Sequence, residues 1–133
     1  MWQDHLGVTI DIVSLPNYSM LKDSSGHLYD FGWVADYPNP QNFLEILFRS
    51  KQEFNYGAYE NSVFDALVSN ASLETDVDKR LLLYQEAEAQ LLDDAAVVPL
   101  WHGINHVLVK SYVKNWSLDA LGIPRLDEIQ LSR

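Results

Sequence analysis

An α/β fold is what this sequence predicts, and three observations predict it. Apolar and polar residues alternate at period two near the start, which is the signature of a half-buried strand. A long tract with helical spacing occupies the second half. Extended runs and helices also follow one another along the chain, an order that layers helices on a sheet. With 133 residues, 47% of them hydrophobic, the chain has the length of one domain and the apolar content of a globular one.

Val8-Thr9-Ile10-Asp11-Ile12 supplies the alternation and predicts the first strand, ended by the turn signal Pro16-Asn17-Tyr18. A short helix is expected over residues 18–25. Residues 28–35, rich in aromatics and interrupted by Gly32, predict a second strand and with the first a βαβ-like unit. Asp36-Tyr37-Pro38-Asn39-Pro40 is a loop, because two prolines two positions apart fit neither a central strand nor a helix interior.

Phe43, Leu44, Leu47 and Phe48 then recur at helical spacing, and residues 50–62 read as an ordered loop. Phe64, Leu67, Val68 and Ala71 mark one face of a second helix. The clearest helix covers residues 75–94, opened by a capping-box-like Thr75-Asp76-Val77-Asp78. Its apolar stripe is Val77, Leu81, Tyr84, Ala87 and Leu91. Residues 97–101 and 105–110 read as extended around a bend at Gly103. The tail 111–133 shows little period, carries a turn at Gly122-Ile123-Pro124, and holds large apolar residues that must pack on something.

Nine Lys and Arg against 19 Asp and Glu give a net charge of −10. That balance disfavours nucleic acid and anionic lipid as partners, since both are held by clustered cations. Without cysteine there is no disulfide scaffold, thiolate zinc site or thiol chemistry. No run is long and apolar enough for a transmembrane helix, and the first residues lack the pattern of a signal peptide.

Catalytic constellations are not found. His102 and His106 have the i, i+4 spacing of a zinc pair, but the accompanying Glu is missing and Gly103 disfavours the helix. No nucleophile elbow or phosphate-cradling loop occurs. Asp93-Asp94 reads as a pair of solvated groups at a helix end. The expectation is a protein with no catalytic residues, no metal site and no cofactor.

One stretch remains, Gly32-Trp33-Val34-Ala35-Asp36-Tyr37-Pro38-Asn39-Pro40. Ligands of open α/β sheets bind just outside the carboxyl ends of strands, where Asp36 can pair with a cation and Trp33 can stack. The same residues also fit a plainer role, with Trp33 in the core and Asp36 capping the next helix. Residue physics leaves both open.

This stretch, continued through Gln41-Asn42-Phe43-Leu44, resembles the signature of the family 5 extracellular solute-binding proteins. The likeness runs on in order through Asn61 to Leu67, Arg80 to Glu88, Val98-Pro99-Leu100 and Val113 to Trp116, covering about residues 5–116. It implies the C-terminal lobe of a two-lobed, type II periplasmic-binding-protein-like fold, incomplete in this chain. Residues 1–110 would form most of the ligand-binding lobe, and residues 111–133 a tail crossing back toward an N-terminal lobe that is missing here.

The resemblance also implies a function. The whole protein would bind short peptides, or another small solute, for the permease subunits of an ABC importer, in the periplasm or cell envelope. Asp36 would pair with the peptide α-ammonium, the main chain at Gly32 and Val34 would bond the peptide backbone, and Trp33 would form the adjacent wall. Trp101-His102-Gly103 is a further segment expected near the cleft. Other members bind nickel complexes, glutathione or oligosaccharides, so a sugar ligand or a stand-alone protein-interaction module are the alternatives. The isolated lobe is expected to dimerise through the apolar strip the other lobe would cover.

Overall fold

A computed structural model describes residues 1–23 and 25–132, and they divide into two compact units, Met1–Phe31 and Gly32–Arg133. The first unit holds a short helix, α1 (Trp2–Leu6), closed by Gly7 in the left-handed region at φ 66°. This helix was not expected from the sequence. A 3-10 helix, Tyr18–Asp23, stands where a short helix was predicted, and Leu21 within it is buried. Tyr18 meets the ring of Phe31 edge-on, with centroids 5.2 Å apart.

The expected strand at residues 8–12 does not form, and residues 28–35 carry none either, so the βαβ-like unit is absent among the described residues. Alternation alone cannot close a ladder. A strand exists only where a neighbour supplies its hydrogen bonds, and Val8, Ile10 and Ile12 remain substantially exposed.

The second unit is built on three helices, α2 (Gln41–Phe48), α3 (Ser62–Leu73) and α4 (Val77–Asp93). Pro40 enters α2 with its φ already helical at −55°, and Asn39 accepts the Gln41 amide at 3.0 Å. The buried face of α2 is Asn42, Leu44 and Leu47; Phe43, expected inside, is 41% exposed. Asn61 caps α3 by accepting the amides of Val63 and Phe64. Phe64, Val68 and Ala71, at i, i+4 and i+7, are completely buried.

Asp76 caps α4, accepting the amides of Asp78 and Lys79 at 3.1 Å, so the cap falls one residue after the Thr75 suggested by the motif. Only the second half of the expected α4 stripe is buried. Tyr84, Ala87 and Leu91 lie inside, whereas Val77 and Leu81 do not. The short connection makes α3 and α4 antiparallel neighbours. Fully buried alanines at 71 and 87 present almost no side chain, which suits close helix approach. Leu44, Phe64, Val68, Ala71, Tyr84, Ala87 and Leu91 form one core cluster.

Residues 97–110 carry no assigned strand. Most of their large apolar side chains face solvent, with Leu108 fully exposed. The tail is more ordered than its pattern suggested. Strand β1 (Val113–Lys114) pairs antiparallel with β2 (Gln130–Leu131), and Leu118 bridges Pro124. Between them the Asp119 carboxylate accepts the amides of Leu121 and Ile123, both at 2.9 Å, and Gly122 adopts φ 77°.

Candidate functional site

The loop entering α2 and the first turn of that helix bring the candidate residues together around Asn42. This side chain is wholly buried. Its Oδ1 accepts the Trp33 indole Nε1–H at 2.7 Å and the Asp36 amide at 3.2 Å. Its Nδ2 donates to Asp36 Oδ2 at 3.4 Å. Burying an amide is costly unless its hydrogen bonds are made, and here both ends have partners.

Trp33 is therefore only half-buried, its indole N–H turned toward the protein. Asp36 does not cap α2, whose N-cap is Pro40 without a side-chain cap bond, and the Asp36 side chain remains exposed. Neither residue fills the plainer role that the sequence allowed. Among the described residues Asp36 forms no ion pair.

Gly32 and Val34 flank the tryptophan on exposed chain. Val34 is 80% exposed, and a Cβ added at Gly32 would meet nothing within 4 Å. Among the described residues the main-chain groups of both lack hydrogen bonds. One wall is aromatic. The ring of Phe54 lies 5.2 Å from Trp33, tilted by 55°, and Tyr56 meets Phe54 edge-on at 6.3 Å. The loop carrying these rings is fixed by Asn55, which bonds the carbonyls of Phe48, Arg49 and Tyr59 and accepts the Tyr59 amide.

Along α2 a partly buried polar chain runs from Tyr37 through Gln41 and Glu45 to Arg49. Tyr37 donates to Gln41, which donates to Glu45 at 2.7 Å, and Arg49 pairs with Glu45 at 2.8 Å.

A second cluster gathers at the end of α4. The Asp94 carboxylate accepts the Tyr59 hydroxyl and the Asn61 amide, both at 2.6 Å, and the Gln90 amide at 3.0 Å. These bonds hold its pKa below the usual aspartate value. Burial, and then the bond to Asp94, push the Tyr59 phenol well above its own. Asp94 is thus a latch between the 55–61 loop and α4, where the sequence suggested only a solvated group.

His102 and His106 are exposed, as is Trp101. Among the described residues no three His, Cys, Asp or Glu side chains gather as a metal site, and no helix is long and apolar enough to cross a membrane.

No protein-family model matches the chain. It is 31% identical over 120 residues to the periplasmic oligopeptide-binding protein OppA of Escherichia coli K12, covering 88% of this chain and 22% of the relative. It is 36% identical over 86 residues to the probable deoxycholate-binding periplasmic protein YgiS of the same organism, covering 65% and 16%. The structure of HbpA2 from Haemophilus parasuis matches with a TM-score of 0.70 at 27% identity, over 77% of this chain and 21% of that one. Over most of its length the chain is similar to the family 5 extracellular solute-binding proteins.

The chain spans about a fifth of the length of the relatives it matches. Its helical block and few strands are those of a partial lobe of the type II fold. The matched relatives are named for binding, not for catalysis.

The sequence singles out Gly32, Trp33, Val34 and Asp36 as candidates and does not single out Asn42, Phe54 or Asp94. Asn42 gave little signal, since its helical neighbours at i+3 and i+4 are the charged Glu45 and the apolar Ile46. Phe54 gave none, because loop residues meet the site through folding and not through spacing.

Proposed function

We propose that this segment carries part of the ligand-binding face of the peptide-binding component of an ABC importer, working in the periplasm or cell envelope. The observation that carries the reading is the exposed Asp36 carboxylate. It is held by the neutral amide of Asn42 and pairs with no cation among the described residues, which leaves its charge for a ligand ammonium. Beside it the main chain at Gly32 and Val34 offers donors and acceptors to an extended peptide, as in strand addition. Bonding through the main chain gives affinity without reading side chains. Trp33, backed by Phe54, forms the wall for the first peptide residue. The permease subunits would receive the loaded protein, and energy would come from their ATPases.

Calorimetric titration of the intact protein with a free and an N-acetylated tripeptide tests this. The expected result is tight binding of the free amine only, with Asp36→Asn costing about 2–5 kcal/mol if the pair is buried on closure. Equal binding of the two peptides rejects the role given to Asp36.

A second reading keeps the scaffold and changes the cargo. The tilted rings of Trp33, Phe54 and Tyr56 offer an aromatic surface on which a sugar ring or a sterol-like face can rest. Binding of such a ligand would survive Asp36→Asn and fail on Trp33→Ala.

A further inference from the structure

We infer that Asn42 is the positioning residue of this site, a clamp that sets the Asp36 carboxylate and the Trp33 indole with one side chain. The inference rests on the assignment of Asp36 as partner of the ligand amine. It adds the group that orients Asp36, which touches no ligand itself because it is wholly buried.

The position demands one planar group that accepts twice and donates once. Oδ1 takes the indole N–H at 2.7 Å and the Asp36 amide at 3.2 Å, while Nδ2 reaches Asp36 Oδ2 at 3.4 Å. Turning the amide over would set its NH2 against two N–H donors, so its orientation is fixed. An ionised aspartate could accept but not donate, and would place two like charges together. A lysine or arginine would hold the carboxylate yet neutralise it, competing with a cationic ligand. Asparagine holds Asp36 and leaves its charge intact. Because both ligand-facing side chains hang on one amide, the stacking wall and the charge keep a fixed spacing.

The test uses the intact protein and Asn42→Leu, which is close in volume and removes all three bonds. The binding readout is the ratio of Kd for N-acetylated over free trialanine. The clamp predicts that this ratio falls by about tenfold or more, the free peptide losing that much beyond any loss the two peptides share through the released Trp33 wall. An equal loss for both peptides means a structural role only and overturns the inference, as does an unchanged ratio.

The second readout needs no ligand. The Trp33 indole proton, assigned by its disappearance in Trp33→Phe, should exchange with solvent at least about tenfold more slowly than a free indole. Exchange as fast as a free indole in the wild type overturns the clamp, even if Asn42→Leu does not fold. A wild type without preference for the free amine rejects the Asp36 assignment instead. Slow indole exchange that Asn42→Leu abolishes would then still establish that Asn42 holds Trp33.

Discussion

The α3–α4 pair and the segment 97–110 are both rich in large apolar residues, yet they end in opposite states. The helix pair closes a core of its own, with Phe64 and Val68 completely buried. The segment 97–110 leaves Trp101, Ile104 and Leu108 in solvent and forms no strand. A helix satisfies its main chain within its own span, so sequence-local signals are enough to form it. A strand takes its hydrogen bonds from neighbours, and this chain spans only about a fifth of its relatives' length.

The largest expected effect separates these regions directly. Phe64→Ala should destabilise the intact protein by about 3–5 kcal/mol in urea unfolding, through lost transfer energy and the cavity left behind. Leu108→Ala, at a fully exposed side chain, should cost no more than about 0.5 kcal/mol. Similar costs would break the comparison, since they would mean that residues outside this segment bury Leu108 as deeply as the helices bury Phe64.

A smaller effect sharpens it from the helical side. The depressed pKa of Asp94 means that its latch contributes stability above the ordinary aspartate value of 3.8 and loses it as pH falls through the lower folded value. Wild type and Asp94→Asn should therefore differ in unfolding midpoint near neutrality, and the difference should shrink as the pH falls toward 3.8 and below it. A constant difference would show that the latch does not depend on the charge of Asp94.

The same contrast explains what the sequence made legible. Helical spacing located α2, α3 and α4, whereas the cap at Asn61 was not anticipated and that of α4 fell on Asp76 and not Thr75. Inner faces were read less well. Phe43 and Leu81 turn outward because a periodic stripe says which residues share a face and not how much of it a neighbour covers. The strands at 8–12 and 28–35 failed for want of partners, whereas the tail paired with itself around a turn that Asp119 and Gly122 make locally.

At the site, Gly32 to Asp36 drew notice through proline punctuation, a lone acid and a family resemblance. The contact of Phe54 with Trp33 joins positions 21 residues apart through a loop without period, so no spacing rule could place it. Asn42 was within the recognised stretch, but its importance lies in being buried, and burial is decided by packing.

We propose that residues 32–36 face a bound peptide, with the main chain at Gly32 and Val34 pairing to it. Amide hydrogen exchange of the intact protein, with and without a saturating free tripeptide, tests this most directly. The account predicts that protection on peptide binding is strongest at residues 32–36, while the amides of α3, already bonded within their helix, change little. Protection that bypasses residues 32–36 would contradict it, and would place the ligand elsewhere in the protein.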